Sequence, residues 1–233
     1  MRIDKFLVSQ GVGTRREVQQ LVKNGSVKLN DIAVKKPDAK VIPEKDVIFV
    51  NGKKISYMKN IYIVMNKPAG VISATEDKSE RTVIDILPDN LKRKDLFPAG
   101  RLDKDTTGLL IITDDGDFAH RMLSPKKHVN KRYLAVLSGE VTDEMILNFK
   151  NGIKFNDGTL CKPAKLTVQE DRHIAEVVIS EGKFHQVKKM FITQGLEVLK
   201  LKRLQIGGFV LPPELSEGDC RLMSEDEIVG IFS

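Results

Sequence analysis

The 233-residue chain has no tryptophan, two cysteines and four histidines. Cys161 and Cys220 are far apart and form no Cys-x-x-Cys pair, and the histidines lack metal-ligand spacing, so the pattern argues against a zinc site. No metal or cofactor is signalled anywhere. Two thiols that staple nothing suit a reducing cytoplasm. No apolar run approaches the ~20 residues that a membrane helix needs, and Met1-Arg2-Ile3-Asp4-Lys5 is too charged for a secretory signal. Internal repeats and low-complexity tracts are missing too. The expectation is a cytoplasmic protein with no membrane partner. What is present is ordinary for a globular fold, with 41% hydrophobic and 30% charged residues. The length allows one large domain, or a medium one beside a small one.

Charge of one sign is concentrated at one end. The net charge is +6, and residues 1–55 alone hold 12 Lys/Arg against 6 Asp/Glu, whereas the remainder holds 26 of each. A small basic module on a neutral body suits a polyanion-binding appendage, and equally a solvated basic face. In that module Ile3, Phe6 and Leu7 fall at helical spacing. Thr14-Arg15-Arg16-Glu17 is a capping box that opens a helix burying Val18, Leu21 and Val22, and Gly25 stops it. Short strands are predicted at 27–29, 32–34 and 47–50, with turns at Asn30-Asp31 and Asn51-Gly52. Arg15 and Arg16 occupy a first helical turn, where the macrodipole disfavours cations. The pair makes more sense facing phosphate, together with Lys5, Lys23 and Lys28.

From about residue 59 a larger body begins. Ile61–Met65 reads as a strand broken by Asn66-Lys67-Pro68-Ala69-Gly70, after which Val71-Ile72-Ser73 is extended. A short helix is predicted over Thr82–Leu87, stopped by Pro88. Helices are also predicted at 117–123, 142–149, 184–191 and after Ser224, and strands at 131–136, 164–168, 174–179 and 200–206. Between them lies Gly100-Arg101-Leu102-Asp103-Lys104-Asp105-Thr106-Thr107-Gly108, a loop feeding the apolar run Leu109-Leu110-Ile111-Ile112. A carboxylate on a loop anchored by a buried strand is well placed for chemistry. The residues alone equally allow Asp103 to pair with Arg101 or to cap a turn. They allow Tyr133 to be a half-buried strand aromatic, and Lys188 and Lys189 to be a solvated helix face.

Arg101-Leu102-Asp103 with Thr106 and Gly108 resembles the signature of bacterial pseudouridine synthases that modify RNA. Lys67-Pro68-Ala69-Gly70 resembles that family's first motif, and His185-Gln186-Val187-Lys188 its third. Arg2-Ile3-Asp4-Lys5-Phe6-Leu7, Ser9 and the capping box resemble the small RNA-binding domain named after ribosomal protein S4. The resemblance spans the whole chain. It implies an α+β protein, with a helix-helix-hairpin RNA-binding domain at 1–58. A catalytic domain follows at 59–233, built on a mixed, mostly antiparallel sheet flanked by helices.

The activity implied is isomerisation of uridine to pseudouridine, a reaction that needs no cofactor or metal. Asp103 is then the catalytic carboxylate, Tyr133 stacks on the flipped base, and Lys188, where many relatives carry arginine, pairs with Asp103. Arg101, Lys67, Lys5, Arg15, Arg16 and Lys23 are expected to contact RNA. The partner implied is ribosomal RNA, with the small-subunit RNA or its assembly intermediate favoured over the large, and the protein is expected to be a monomer. A large-subunit synthase, a non-catalytic assembly factor and a hydrolase pairing Asp103 with Asp105 are the competing readings. The intact Arg-Leu-Asp loop opposes the second. The third lacks any likeness to a sugar-binding aromatic cleft.

Overall fold

A computed structural model describes residues 1–124 and 127–233, and divides them into two compact units. The first comprises Met1–Ile61 together with Pro88–Leu96. Helix α1 (Ile3–Ser9) is followed by α2 (Arg15–Lys23), whose Thr14–Glu17 capping box forms as the spacing predicts. Strands β1 (Val27–Leu29), β2 (Ile32–Ala33), β3 (Ile48–Val50) and β4 (Lys53–Ile55) make an antiparallel sheet in the order β2-β1-β3-β4. Both hairpin turns place two successive residues at positive φ, Asn30 and Asp31 in one, Asn51 and Gly52 in the other. That is the turn whose twist matches paired strands. Ile3, Phe6, Leu7, Val18, Val22, Val27, Ile48 and Val50 form its core. The late segment is fastened to this unit by Arg93, whose guanidinium donates to the carbonyls of Met58 and Lys59.

The second unit is built on one large sheet. Its elements are β5 (Tyr62–Lys67), β6 (Phe97–Ala99), β7 (Thr107–Thr113), α3 (Gly116–Leu123), β8 (Lys131–Leu137), α4 (Asp143–Asn151), β9 (Lys165–Val168), β10 (Ile174–Ile179), α5 (Gln186–Thr193), β11 (Val198–Ile206), β12 (Phe209–Val210), β13 (Cys220–Leu222) and α6 (Glu225–Gly230). The strand order is β13-β5-β7-β11-β8-β10-β9, with β6 paired to β7 and β12 to β11. Every pairing is antiparallel except β7 with β11, so the sheet is mixed and mostly antiparallel as expected. Strand β7 is buried along Gly108–Thr113, the mark of a central strand covered on both faces.

Two local expectations need correction. Thr82–Leu87 is a hydrogen-bonded turn, not a helix. The Asp85 carboxylate accepts from the Thr82 N–H and hydroxyl, and the Thr82 hydroxyl accepts from the N–H groups of Ile84 and Asp85. This is a helix cap with no helix behind it, because Pro88 arrives too soon. The helix expected from Phe184 starts only at Gln186, and His185 before it is left-handed, at φ 51° and ψ 35°.

The parallel pairing brings two backbones unusually close. Gly108, at φ 101°, lies beside Arg203, and a Cβ there would sit 2.3 Å from the Arg203 carbonyl oxygen. Gly70 has φ 87° but open space around it. We therefore expect Gly108→Ala to destabilise the chain by about 3 kcal/mol or more, and Gly70→Ala by only about 1–2 kcal/mol, the left-handed backbone penalty alone. Denaturant unfolding of the two variants checks this. Equal losses would mean that the close approach costs nothing.

Candidate active site

The loop between β6 and β7 is held from beneath by a lysine. Lys67, the last residue of β5, is fully buried. Its ammonium donates to the carbonyls of Pro68 (3.0 Å), Asp103 (3.1 Å), Lys104 (3.3 Å) and Thr106 (2.9 Å). Four peptide dipoles thus point their negative ends at one cation. Burial pushes this ammonium down to about 8, against the opposing pull of Asp105 and Asp103. The Lys67-to-Gly70 turn adds a backbone tie, the Gly70 N–H donating to Lys104 O at 2.8 Å. Ser73 adds a side-chain one, accepting from the Leu102 N–H and donating to the Leu102 carbonyl. Lys67, expected to contact RNA, is instead buried with its ammonium bonded to main-chain carbonyls.

With its backbone fixed and Leu102 buried, the loop presents two carboxylates. The Asp103 side chain is partly exposed, with Oδ1 3.3 Å from His185 Nε2 and Oδ2 3.4 Å from Lys188 Nζ. Lys188 lies closer to Asp105, at 2.6 and 2.8 Å from its two oxygens. That hydrogen bond, more than the opposing burial, holds the Asp105 carboxyl below the usual range. Lys188 is therefore a cation shared between two acids, nearer to Asp105 than to Asp103. Arg101 is exposed.

The third motif explains how His185 and Lys188 arrive together. Gln186 is buried; its amide donates to Glu181 (2.8 Å) and its oxygen accepts from the Lys183 N–H (2.9 Å). Glu181 also accepts from the Lys162 N–H. This buried node fixes the first turn of α5, with His185 just ahead of it and Lys188 three residues on.

Tyr133 lies in β8, buried to 9% exposure. It belongs to a row that crosses four strands, Lys67 opposite Gly108, Gly108 opposite Arg203, Arg203 opposite Tyr133. Arg203 is the functional candidate that sequence reasoning missed. It is buried, its Nε donates to Leu109 O at 2.7 Å, and its Nη1 lies 3.5 Å from the Tyr133 hydroxyl. His185 was visible only as a letter of the third motif. The basic pair before Tyr133 is not a free cationic surface: Arg132 pairs with Glu176 at 3.0 Å, and Lys131 is buried, which pushes its ammonium down to about 8. In the first unit Lys5, Arg15, Arg16 and Lys23 are all exposed. Arg15 is 3.9 Å from the buried carboxylate of Asp4, which is bonded mainly by Arg2. No group of His, Cys, Asp and Glu among the described residues could hold a metal ion, and no described helix is long and apolar enough to cross a membrane.

Comparison with known proteins agrees with this layout. Residues 61–193 match the RNA pseudouridylate synthase family, and residues 1–48 match the S4 domain. The chain is 42% identical to the RNA pseudouridine synthase YtzG of Bacillus subtilis, over 98% of this chain and 97% of that one. It is 39% identical to ribosomal small subunit pseudouridine synthase A of Vibrio cholerae over the full length of both. With the enzyme of that name from Escherichia coli it shares 36% identity, over 99% of this chain and all of the other. A crystal structure of a pseudouridylate synthase superposes with a TM-score of 0.70 at 34% identity, covering 99% of each chain.

If the lysine beneath the loop sets its shape, Lys67→Met leaves up to four carbonyls, that of Thr106 buried and the others partly so, without their donor. We expect a loss on the order of 3 kcal/mol in unfolding free energy. Ser73→Ala, which removes only the Leu102 ties, should cost about 1 kcal/mol. Urea unfolding midpoints measure both, and a Lys67→Met chain as stable as the parent would show that the clamp is dispensable.

Proposed function

The chain belongs to the RNA pseudouridylate synthase family, and on that premise we propose that it isomerises a uridine of small-subunit ribosomal RNA to pseudouridine, with Asp103 as the catalytic residue. The observation that carries the proposal is the rigidly backed Asp103 carboxylate, flanked at 3.3 Å by His185 and at 3.4 Å by Lys188. Three full-length relatives bear the small-subunit name at 36–39% identity, which supports that target over large-subunit RNA.

The reaction breaks the N-glycosidic bond of the uridine, turns the uracil and rejoins it to the ribose through carbon five. The target must leave its stack to reach a carboxylate held on a loop. Tyr133, at 9% exposure in the free chain, is the aromatic assigned to stack on the flipped uracil, and the exposed Arg101 beside Asp103 contacts the RNA it leaves. Asp103 acts either by attacking the sugar or base or by taking the 2′-proton to give a glycal. Both routes use the ionised carboxylate, and the Lys188 ammonium supplies positive charge beside it. Residues 1–58 are the RNA-binding domain and 59–233 the catalytic domain of a cytoplasmic monomer. Lys5, Arg15, Arg16 and Lys23 contact phosphate, so they set affinity and its salt dependence rather than the choice of base.

Two experiments test these assignments. Asp103→Asn should abolish product while RNA affinity stays within about twofold, since the substitution keeps size and removes only charge. Carbodiimide–primer extension on small- and large-subunit RNA reads both activity and target. Normal product from the variant would sink the catalytic role, and a stop only in large-subunit RNA would move the target. For the basic module, deletion is a poor test because Pro88–Leu96 packs with it. Arg15→Ala, Arg16→Ala and Lys23→Ala combined should instead reduce the slope of log affinity against log salt by about 2–3. A filter-binding series with an unchanged slope would show that these cations face solvent only.

A further inference from the structure

Phe184 is the large apolar side chain most at odds with its surroundings. It is 71% exposed in a unit whose other aromatic rings, apart from Phe232 at 38%, are buried or partly buried. Its ring is stacked on His185, with centroids 3.8 Å apart and planes 20° apart. His185 carries this stack from a left-handed backbone just ahead of α5, a conformation that residues with a Cβ seldom take. The edge of the same imidazole stands 3.3 Å from Asp103 Oδ1. One end of the two-ring stack therefore touches the candidate catalytic carboxylate while the other faces solvent. Lys189 Nζ lies 5.2 Å from the Phe184 centroid and 5.6 Å from that of the buried Phe155, and Lys188 is three residues beyond His185. An exposed aromatic ring with the Lys189 ammonium over it matches the chemistry of a nucleotide, base against the ring and phosphate near the ammonium.

We propose that the Phe184–His185 stack is a base-stacking subsite that takes a nucleobase adjacent to the uridine being isomerised. The proposal rests on the synthase reading of Asp103 and extends it to the flanking sequence of the RNA. Flipping one base out leaves its neighbours without a stacking partner on one side, and Phe184 supplies a replacement surface within one ring of Asp103. Stacking is tolerant of base identity, so this subsite contributes affinity and placement rather than a hydrogen-bonded code.

The full-length chain, Phe184→Ala, Phe184→Tyr and Asp103→Asn are titrated with transcribed small-subunit ribosomal RNA at fixed salt, reading pseudouridine in single turnover and affinity by filter binding. Phe184→Ala should raise the half-saturating RNA concentration about 5- to 150-fold, with the salt slope unchanged. Phe184→Tyr should restore it. A stem-loop with an abasic residue on one or other side of the mapped uridine should impose the same penalty on the parent chain at one position and no further penalty on Phe184→Ala. Unchanged half-saturation in Phe184→Ala, or equal abasic penalties in parent and variant, would overturn the subsite. Failure of the underlying reading looks different, as normal product from Asp103→Asn or none from the parent, and the filter-binding comparison still decides the stacking.

Discussion

The bonds of the Lys67 ammonium run to main-chain oxygens, three of them in the loop that carries Asp103. A loop of this kind would ordinarily be mobile, with its carbonyls turned to water. Here four carbonyls converge on one buried cation, so moving the loop would leave that buried charge without most of its acceptors. Such a charge is costly to leave unpaired, and this cost, rather than any side-chain contact of Asp103 itself, keeps the carboxylate aimed. The first and second motifs are thus one structural device, a lysine at a strand end and a loop some 36–39 residues later that supplies its acceptors.

The same device extends across the sheet. Lys67, Gly108, Arg203 and Tyr133 stand in register on four adjacent strands. Gly108 permits Arg203 to approach because it has no Cβ to collide with the partner backbone. Arg203 then bonds the carbonyl of Leu109 and reaches the Tyr133 hydroxyl. Loop, strand and aromatic are consequently fixed relative to one another by backbone contacts and a buried guanidinium, with the parallel β7–β11 pair as the junction. Mutual placement of a carboxylate and an aromatic to within fractions of an ångström is what the proposed reaction at a flipped base would demand.

What could be read from sequence was local. The Thr14 and Ser224 caps, the Asn30-Asp31 and Asn51-Gly52 turns and the apolar β7 each depend on neighbours within a few residues, and all form. Strands β4, β6 and β13 are three residues each, too short for a period, and none was expected. Thr82–Leu87 carried a helix-start pattern whose side chains close a turn instead. The role of Lys67 was illegible because its acceptors are main-chain atoms distant in sequence, and a Lys-Pro turn looks like surface. Arg203 was hidden for a similar reason, its acceptor lying 94 residues away. Family likeness supplied Asp103 and Lys188; it did not supply the clamp beneath them.

Lys188 shows why lysine suits this site. An arginine fork is built to grip one carboxylate with two parallel bonds. An ammonium is a point charge with three protons, and here it sits 2.6 Å from Asp105 and 3.4 Å from Asp103. The shorter contact is to the more exposed acid, 72% against 28% of the side chain. Asp105 therefore anchors the cation, and Asp103 is left with a looser contact and free lone pairs. The shared ammonium places positive charge beside both acids without closing a fork on Asp103, which suits the catalytic role proposed for that carboxylate. The two acids of the loop, with Lys104 between them, thus divide into one that holds the cation and one left open for the proposed chemistry.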